Sequence, residues 1–136
     1  MAISVSYDVV EHYSQTAQGI VIPVVLRLSP EQEVRLEAKL DTGADYCLFR
    51  RQYAEALGLN VESGDRQRFS TAAGPFIAYG HEITLVAMGF VLTGTCYFFE
   101  DSAINKNVLG RNGWLNKVRI GVDDTSISGI LYAGLP

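Results

Sequence analysis

The sequence predicts an all-β fold, a small closed barrel or packed sheets with one or two short helices. Three observations carry this. Residues 34–40 alternate Val34, Leu36, Ala38 and Leu40 with Arg35, Glu37 and Lys39. That is the period of a strand with one buried face. Short runs rich in Val, Ile, Thr and aromatic residues recur along the chain, separated by Gly, Pro, Asn and Asp. Neither Gly-x-Gly-x-x-Gly nor Gly-Lys-Ser/Thr occurs, so no Rossmann or P-loop signature competes.

Taken in order, residues 1–18 are mixed and polar and read as an extension, with one alternating strand at Ile3–Tyr7. Ile20–Leu28 is rich in Val, Ile and Leu and reads as a strand, with Pro23 at an edge or bulge. Ser29-Pro30-Glu31-Gln32-Glu33 is a turn in which Pro30 presets φ. The strand Val34–Leu40 delivers Asp41 into Thr42-Gly43-Ala44. Arg51–Leu57 reads as a short helix stopped by Gly58. Arg68–Thr71 and Phe76–Gly80 flank Ala72-Ala73-Gly74-Pro75, a hairpin with a Gly-Pro tip. Glu82–Met88 and Val91–Phe99 are strands joined near Gly89. Lys106–Leu109 is a short strand, and Asn112–Asn116 forms one helical turn. Val118–Val122 and Ile127–Tyr132 form a terminal hairpin over Asp123-Asp124-Thr125-Ser126.

A chain of 136 residues with 48% hydrophobic content is expected to be a single domain, residues 1–136, with a real core. The net charge of −4 offers no basic face and predicts no nucleic-acid partner. The longest apolar stretches, Ile20–Leu26 and Leu85–Leu92, are too short to span a bilayer, so no membrane partner is expected. Met1–Tyr7 lacks the charged start of a signal peptide. Cys47 and Cys96 make no disulfide framework and read as buried thiols, with the cytoplasm as the expected compartment. His12 and His81 lack metal-ligand spacing, and no metal or other cofactor is expected. Trp114 reads as core.

Two segments carry the chemistry. Residues 38–45 read Ala-Lys-Leu-Asp-Thr-Gly-Ala-Asp, and 108–112 read Val-Leu-Gly-Arg-Asn, about 65 residues downstream. Asp-Thr-Gly alone is a weak signal, because Asp-x-Gly is an ordinary turn and a strand-end Asp often bonds its own backbone. Here the Asp ends an alternating strand, Ala44-Asp45 lengthens the match, and a turn-rich hairpin lies between the two segments.

In order and spacing these elements resemble the retropepsin family, the one-domain aspartic proteases of retroviruses and their cellular relatives. The resemblance covers roughly residues 20–122. It implies a retropepsin-like closed β-barrel with a flap hairpin at residues 69–80, and an aspartic endopeptidase that exists as a homodimer acting on peptides or proteins. Asp41 would be catalytic, one copy from each subunit. Thr42 would interlock the two active-site loops, while the Gly43 carbonyl and Asp45 would hold the substrate backbone. Asp45 would also pair with Arg111 of its own subunit, whose guanidinium fork suits a carboxylate. Ala44, Tyr46, Leu48 and Val108 would be substrate walls, with Ala73 and Gly74 at the flap tip. Lys39 and Lys106 stand where the retroviral enzymes carry apolar residues, which points to acidic or polar substrate side chains near the cut. The alternative is a non-catalytic retropepsin-like module for dimerisation or peptide binding. Both ends differ from the retroviral enzymes, and the terminal hairpin, with Ile127, Ile130, Leu131 and Tyr132, is a candidate dimer element.

Overall fold

A computed structural model describes residues 1–15, 18–125 and 129–136. Among the described residues there are ten strands: β1 (Val9–Tyr13), β2 (Val21–Ser29), β3 (Gln32–Leu40), β4 (Leu48–Phe49), β5 (Asp65–Thr71), β6 (Gly74–Ala87), β7 (Phe90–Phe99), β8 (Val108–Leu109), β9 (Arg119–Asp123) and β10 (Gly129–Gly134). A short helix, α1 (Arg51–Ala56), follows β4. The larger sheet runs β2-β3-β8-β4-β7-β6-β5, and an additional β2–β6 pairing closes it into a ring. The smaller sheet runs β1-β10-β9. The fold is all-β, as the alternation and turn pattern predict.

The local reasons are visible in the chain. In β3, Leu36 and Ala38 are buried while Arg35, Glu37 and Lys39 are exposed, the two faces of a period-two strand. Pro23 sits at the end of β2 that β6 does not reach, where a missing N–H disturbs no second ladder. Helix α1 stops at Gly58, whose φ of +82° suits a left-handed stop and whose N–H donates to the Glu55 carbonyl. Met88 and Gly89, with φ of 53° and 81°, make the two-residue turn between β6 and β7, matching the right-handed twist of the strands.

One buried cluster joins both sheets. Ile22, Leu26, Phe49, Leu57, Ile83, Leu85, Phe98, Leu109 and Trp114 belong to it, together with Tyr13 and Leu131 from the smaller sheet. Burying side chains of this size contributes roughly 1.5–3 kcal/mol each. Trp114 is core, as expected. Cys47 and Cys96 are buried free thiols. Burial pushes the Cys47 thiol up to about 11 and raises that of Cys96 as well, so both stay protonated.

Four local expectations are corrected. The N-terminal strand is Val9–Tyr13 rather than Ile3–Tyr7, because pairing with β10 selects the segment that can bury Tyr13. The hairpin tip is Ala72-Ala73, not Gly-Pro: Thr71 pairs with Gly74 and Ser70 with Pro75, so both Gly74 and Pro75 belong to β6. Residues 112–116 form hydrogen-bonded turns rather than a helical turn; Leu115 and Asn116 donate back to Gly110 and Arg111 five residues earlier. Glu82–Met88 also proves to be the continuation of the hairpin strand, making one 14-residue β6. Val118–Val122 is found as β9, and Leu131 and Tyr132 lie in β10, while Ser126 and Ile127 lie outside the described residues.

The smaller sheet is tied by a polar contact at its rim. The Tyr13 hydroxyl donates to Asp124 Oδ1 at 2.5 Å, and Gln15 Nε2 donates to the Asp124 carbonyl at 2.8 Å. The hydrogen bond to the Asp124 carboxylate pushes the Tyr13 phenol up to about 12. Its folded value therefore exceeds its unfolded value. The stability it contributes is complete below the ordinary phenol pKa of 10.0 and is lost as pH rises through about 12. Absorbance titration at alkaline pH should show this tyrosine ionising late, and Asp124→Asn should return it toward the ordinary value.

Candidate active site

Asp41 leaves the end of β3 where that strand runs parallel to β8, with Lys39 opposite Val108 and Leu40 opposite Leu109. Its backbone N–H donates to the Leu109 carbonyl at 3.0 Å. Its Oδ1 accepts from the Gly43 N–H at 2.9 Å, closing a tight turn that turns the carboxylate back over its own loop. A Cβ at Gly43 would lie 3.3 Å from Asp41 Oδ1, so the glycine keeps that approach uncrowded.

The two sequence segments are laced together here. Arg111 N–H donates to the Ala44 carbonyl at 2.9 Å. Asn112 donates twice to the Asp45 carbonyl, from its backbone at 2.8 Å and from Nδ2 at 2.7 Å. Tyr46 and Asn112 form an isolated bridge. Gly110 threads beneath this loop so closely that a Cβ would fall 2.2 Å from the Tyr46 carbonyl oxygen and 2.8 Å from that of Ala44. The Gly-Arg-Asn segment thus acts through its backbone and one amide as the brace of the Asp41 loop.

The expected Asp45–Arg111 ion pair is not formed. The ion pairs among the described residues are Arg27–Glu33, Arg51–Glu55 and Arg51–Glu62. Asp45 and Arg111 are both exposed, where such a pair gains only about 0–1 kcal/mol and backbone bonds already hold the two loops.

Beside Asp41 lies a hollow of ≈ 760 Å³. Its lining includes Asp41, Gly43, Ala44, Asp45, Tyr46, Leu48, Val108 and, from the hairpin tip, Ala72, Ala73 and Gly74. Of the residues singled out in the sequence, Thr42, Lys39 and Arg111 are not in the lining. Lys39 instead lies along Gly19, where its Cε would be 2.5 Å from an added Cβ. The other lysine, Lys106, does line the hollow.

The roof is the β5–β6 hairpin, and its underside is aromatic. Phe69 and Phe76, opposite one another across the hairpin, stack with ring centroids 4.9 Å apart. Phe69 also meets Tyr46 and Tyr97 edge-on, and Phe76 meets Phe99. With Leu48, Ile104 and Val108 these rings form a second apolar cluster, distinct from the main core. Sequence reasoning missed Phe69, Phe76, Phe99 and Ile104 as lining residues. The symmetric placement of Phe69 and Phe76 about Ala72-Ala73 was the available signal. His81 is a structural residue: its Nε2 lies 2.9 Å from the Val61 carbonyl.

Among the described residues no helix is long and apolar enough to cross a membrane. The profile of the family described as aspartyl protease matches residues 22–113, which contain both the Asp41 loop and the Gly-Arg-Asn segment. No curated protein is similar in sequence. Among solved structures, EIAV protease complexed with the inhibitor HBY-793 is similar, with a TM-score of 0.57 and 16% identity over 75% of this chain and 90% of that chain. At that identity the likeness speaks for the fold.

Proposed function

Because this chain belongs to the aspartyl protease family, with a retropepsin-like fold, we propose that it is an aspartic endopeptidase working as a homodimer. The observation that carries this reading is Asp41, held on the wall of a hollow under a hairpin by the Gly-Arg-Asn brace. The chain has a single Asp-Thr-Gly, so a pair of such carboxylates requires two chains.

In the pair, two Asp41 carboxylates meet across a twofold axis. Carboxylates that close cannot both ionise and share one proton. The ionised one takes a proton from a water, which attacks the scissile carbonyl carbon. The protonated one gives its proton to the carbonyl oxygen; on collapse, the carboxyl that took the water's proton passes it to the leaving amine, and the other takes back a hydroxyl proton of the tetrahedral intermediate. Thr42, exposed beside Asp41, would bond the neighbouring loop of the second chain. The Gly43 carbonyl and Asp45 hold the substrate backbone. The peptide lies extended beneath the hairpin, with Ala73 and Gly74 above it and Ala44, Tyr46, Leu48 and Val108 as side-chain walls. The test is cleavage of a diverse peptide mixture from acid to neutral pH, with cut sites read by mass spectrometry. Cuts by the native chain that vanish in Asp41→Asn support the reading. No cuts at any pH from a chain shown to be dimeric in the same buffer overturn it in favour of a non-catalytic module.

Lys106 gives this reading a specificity. It lines the hollow and takes part in none of the ion pairs of the described residues. An acidic substrate side chain near the cut is therefore favoured. Lys106→Met should reduce cleavage beside Asp or Glu by up to about fivefold relative to apolar sites, the size of a solvent-screened pair. An unchanged site profile would remove this role from Lys106. Lys39, lying along Gly19, takes no part in this hollow within one chain.

A further inference from the structure

Strand β4 pairs with β7 at Leu48–Tyr97 and Phe49–Phe98. Just before β4 the chain stands away from β7, because Tyr46 bridges to Asn112 instead. That departure opens a gap beside Thr95. The Tyr97 N–H donates to the Cys47 carbonyl at 3.0 Å, so the backbone groups of Tyr97 face β4 and not β6. In an antiparallel pair these groups alternate in direction, so those of Thr95 and Thr93 face the same side as those of Tyr97. Two contacts agree. Lys117 Nζ donates to the Thr93 carbonyl at 3.0 Å. A Cβ on Gly113 would lie 3.4 Å from the Thr95 carbonyl oxygen. At Thr95 the large sheet therefore has an internal open edge, an N–H and a C=O that β4 does not reach among the described residues.

A hollow of ≈ 330 Å³ occupies the gap, lined by Tyr46, Thr95, Tyr97, Asn112, Gly113 and Lys117. Of these, Tyr46 also lines the hollow beside Asp41. Three properties select an occupant. An open strand edge takes the main chain of a peptide. Lys117 is half-buried and belongs to none of the ion pairs of the described residues. Its ammonium has three donors, of which the Thr93 carbonyl uses one, so it suits a carboxylate. Tyr46 and Tyr97, edge-on with ring centroids 5.0 Å apart, offer an apolar wall. Burial, with Asp65 and Tyr46 nearby, raises the Tyr97 phenol, so that wall carries no charge at neutral pH. The volume is at the small end for ligand sites and suits roughly one or two residues. A main-chain amide, a carboxylate and a side chain come together in the last residue of a peptide.

We propose that this hollow binds the carboxy-terminal residue of a peptide. The carboxylate lies on Lys117, the amide pairs with the Thr95 edge, and the side chain lies against Tyr46 and Tyr97. This binding uses no Asp41 chemistry and is separable from the proteolytic reading.

The test is to titrate N-acetylphenylalanine, and separately its carboxamide, into the isotope-labelled full chain and to follow the backbone amide signals by NMR. The free acid should shift the signals of Thr95, Asn112 and Gly113 to saturation. The carboxamide, without the charge, should bind about tenfold more weakly. Lys117→Met should bind the acid no better than the native chain binds the carboxamide, while Lys117→Arg should keep the preference for the acid. Lys117→Met also gives up the bond to the Thr93 carbonyl, but the comparison of acid with carboxamide on the native chain needs no substitution. Equal affinity for acid and carboxamide would overturn the proposal, as would no saturable shift at millimolar probe. Shifts centred on Ala73 and Gly74 would place the probe beside Asp41 and overturn it too. A chain that cleaves no peptide would leave every one of these outcomes unchanged.

Discussion

Asp41→Asn should abolish peptide cleavage while leaving the fold intact. The amide is nearly isosteric with the carboxylate, and its oxygen can still accept the Gly43 N–H that closes the turn at 2.9 Å. What is lost is proton chemistry. An amide neither takes a proton from water nor donates one at a useful pKa, and a mutant homodimer lacks both members of the pair. General acid–base catalysis is worth typically about 10²–10⁴-fold for one group, so the loss should reach or exceed that range. The proposed sharing of the site between two chains makes a further demand. When native and mutant chains are mixed and allowed to exchange, activity should fall with the square of the native fraction. A linear fall would mean that each chain carries a complete site. Unchanged cleavage by the mutant would remove Asp41 from the chemistry.

Gly110→Ala should cost the most stability of any single methyl added to this chain's loop brace. The new Cβ would lie 2.2 Å from the Tyr46 carbonyl oxygen, 2.6 Å from its carbonyl carbon and 2.8 Å from the Ala44 oxygen. These are backbone atoms and cannot rotate away. The Ala44 and Asp45 carbonyls are also the acceptors for Arg111 and Asn112, so relieving the clash breaks the lacing. Overpacking typically costs roughly 1–3 kcal/mol, and a clash against fixed backbone belongs at or above the top of that range. Urea denaturation should show the midpoint falling with little change in slope. Gly94→Ala is the control. There a Cβ meets only Lys117 Nζ at 2.8 Å, the far end of a flexible side chain, whose shift would disturb no more than its hydrogen bond to the Thr93 carbonyl. If Gly110→Ala matched Gly94→Ala, the threading of Gly110 beneath the Asp41 loop would not be the constraint.

Much of this was legible in residue order. The alternation through Val34–Leu40 identified β3 and its buried face, and Leu36 and Ala38 are indeed inside. Gly58 marked the end of α1 by the conformation it alone adopts without strain. Other features were not legible. Ile3–Tyr7 alternates as well as Val9–Tyr13 pairs, and only β10 chooses between them. Ala72-Ala73-Gly74-Pro75 contains stronger turn formers than the pair that makes the tip. Register decides the tip, because Phe69 must face Phe76 to close the aromatic underside.

The resemblance to the retropepsin family implied that the two segments belong to one site. The sequence by itself determined the all-β class and the strand that delivers Asp41. These are local or periodic properties, and each is written in residue type and spacing. Only the tertiary structure decided that Gly-Arg-Asn acts as a backbone brace rather than through an Asp45–Arg111 ion pair, because solvent weakens an exposed pair while backbone bonds persist. It alone separated Lys106, in the hollow, from Lys39, lying along Gly19. Among the described residues it also left the β9 edge open, since which strand lacks a neighbour is a property of the assembled sheet and of no strand taken alone.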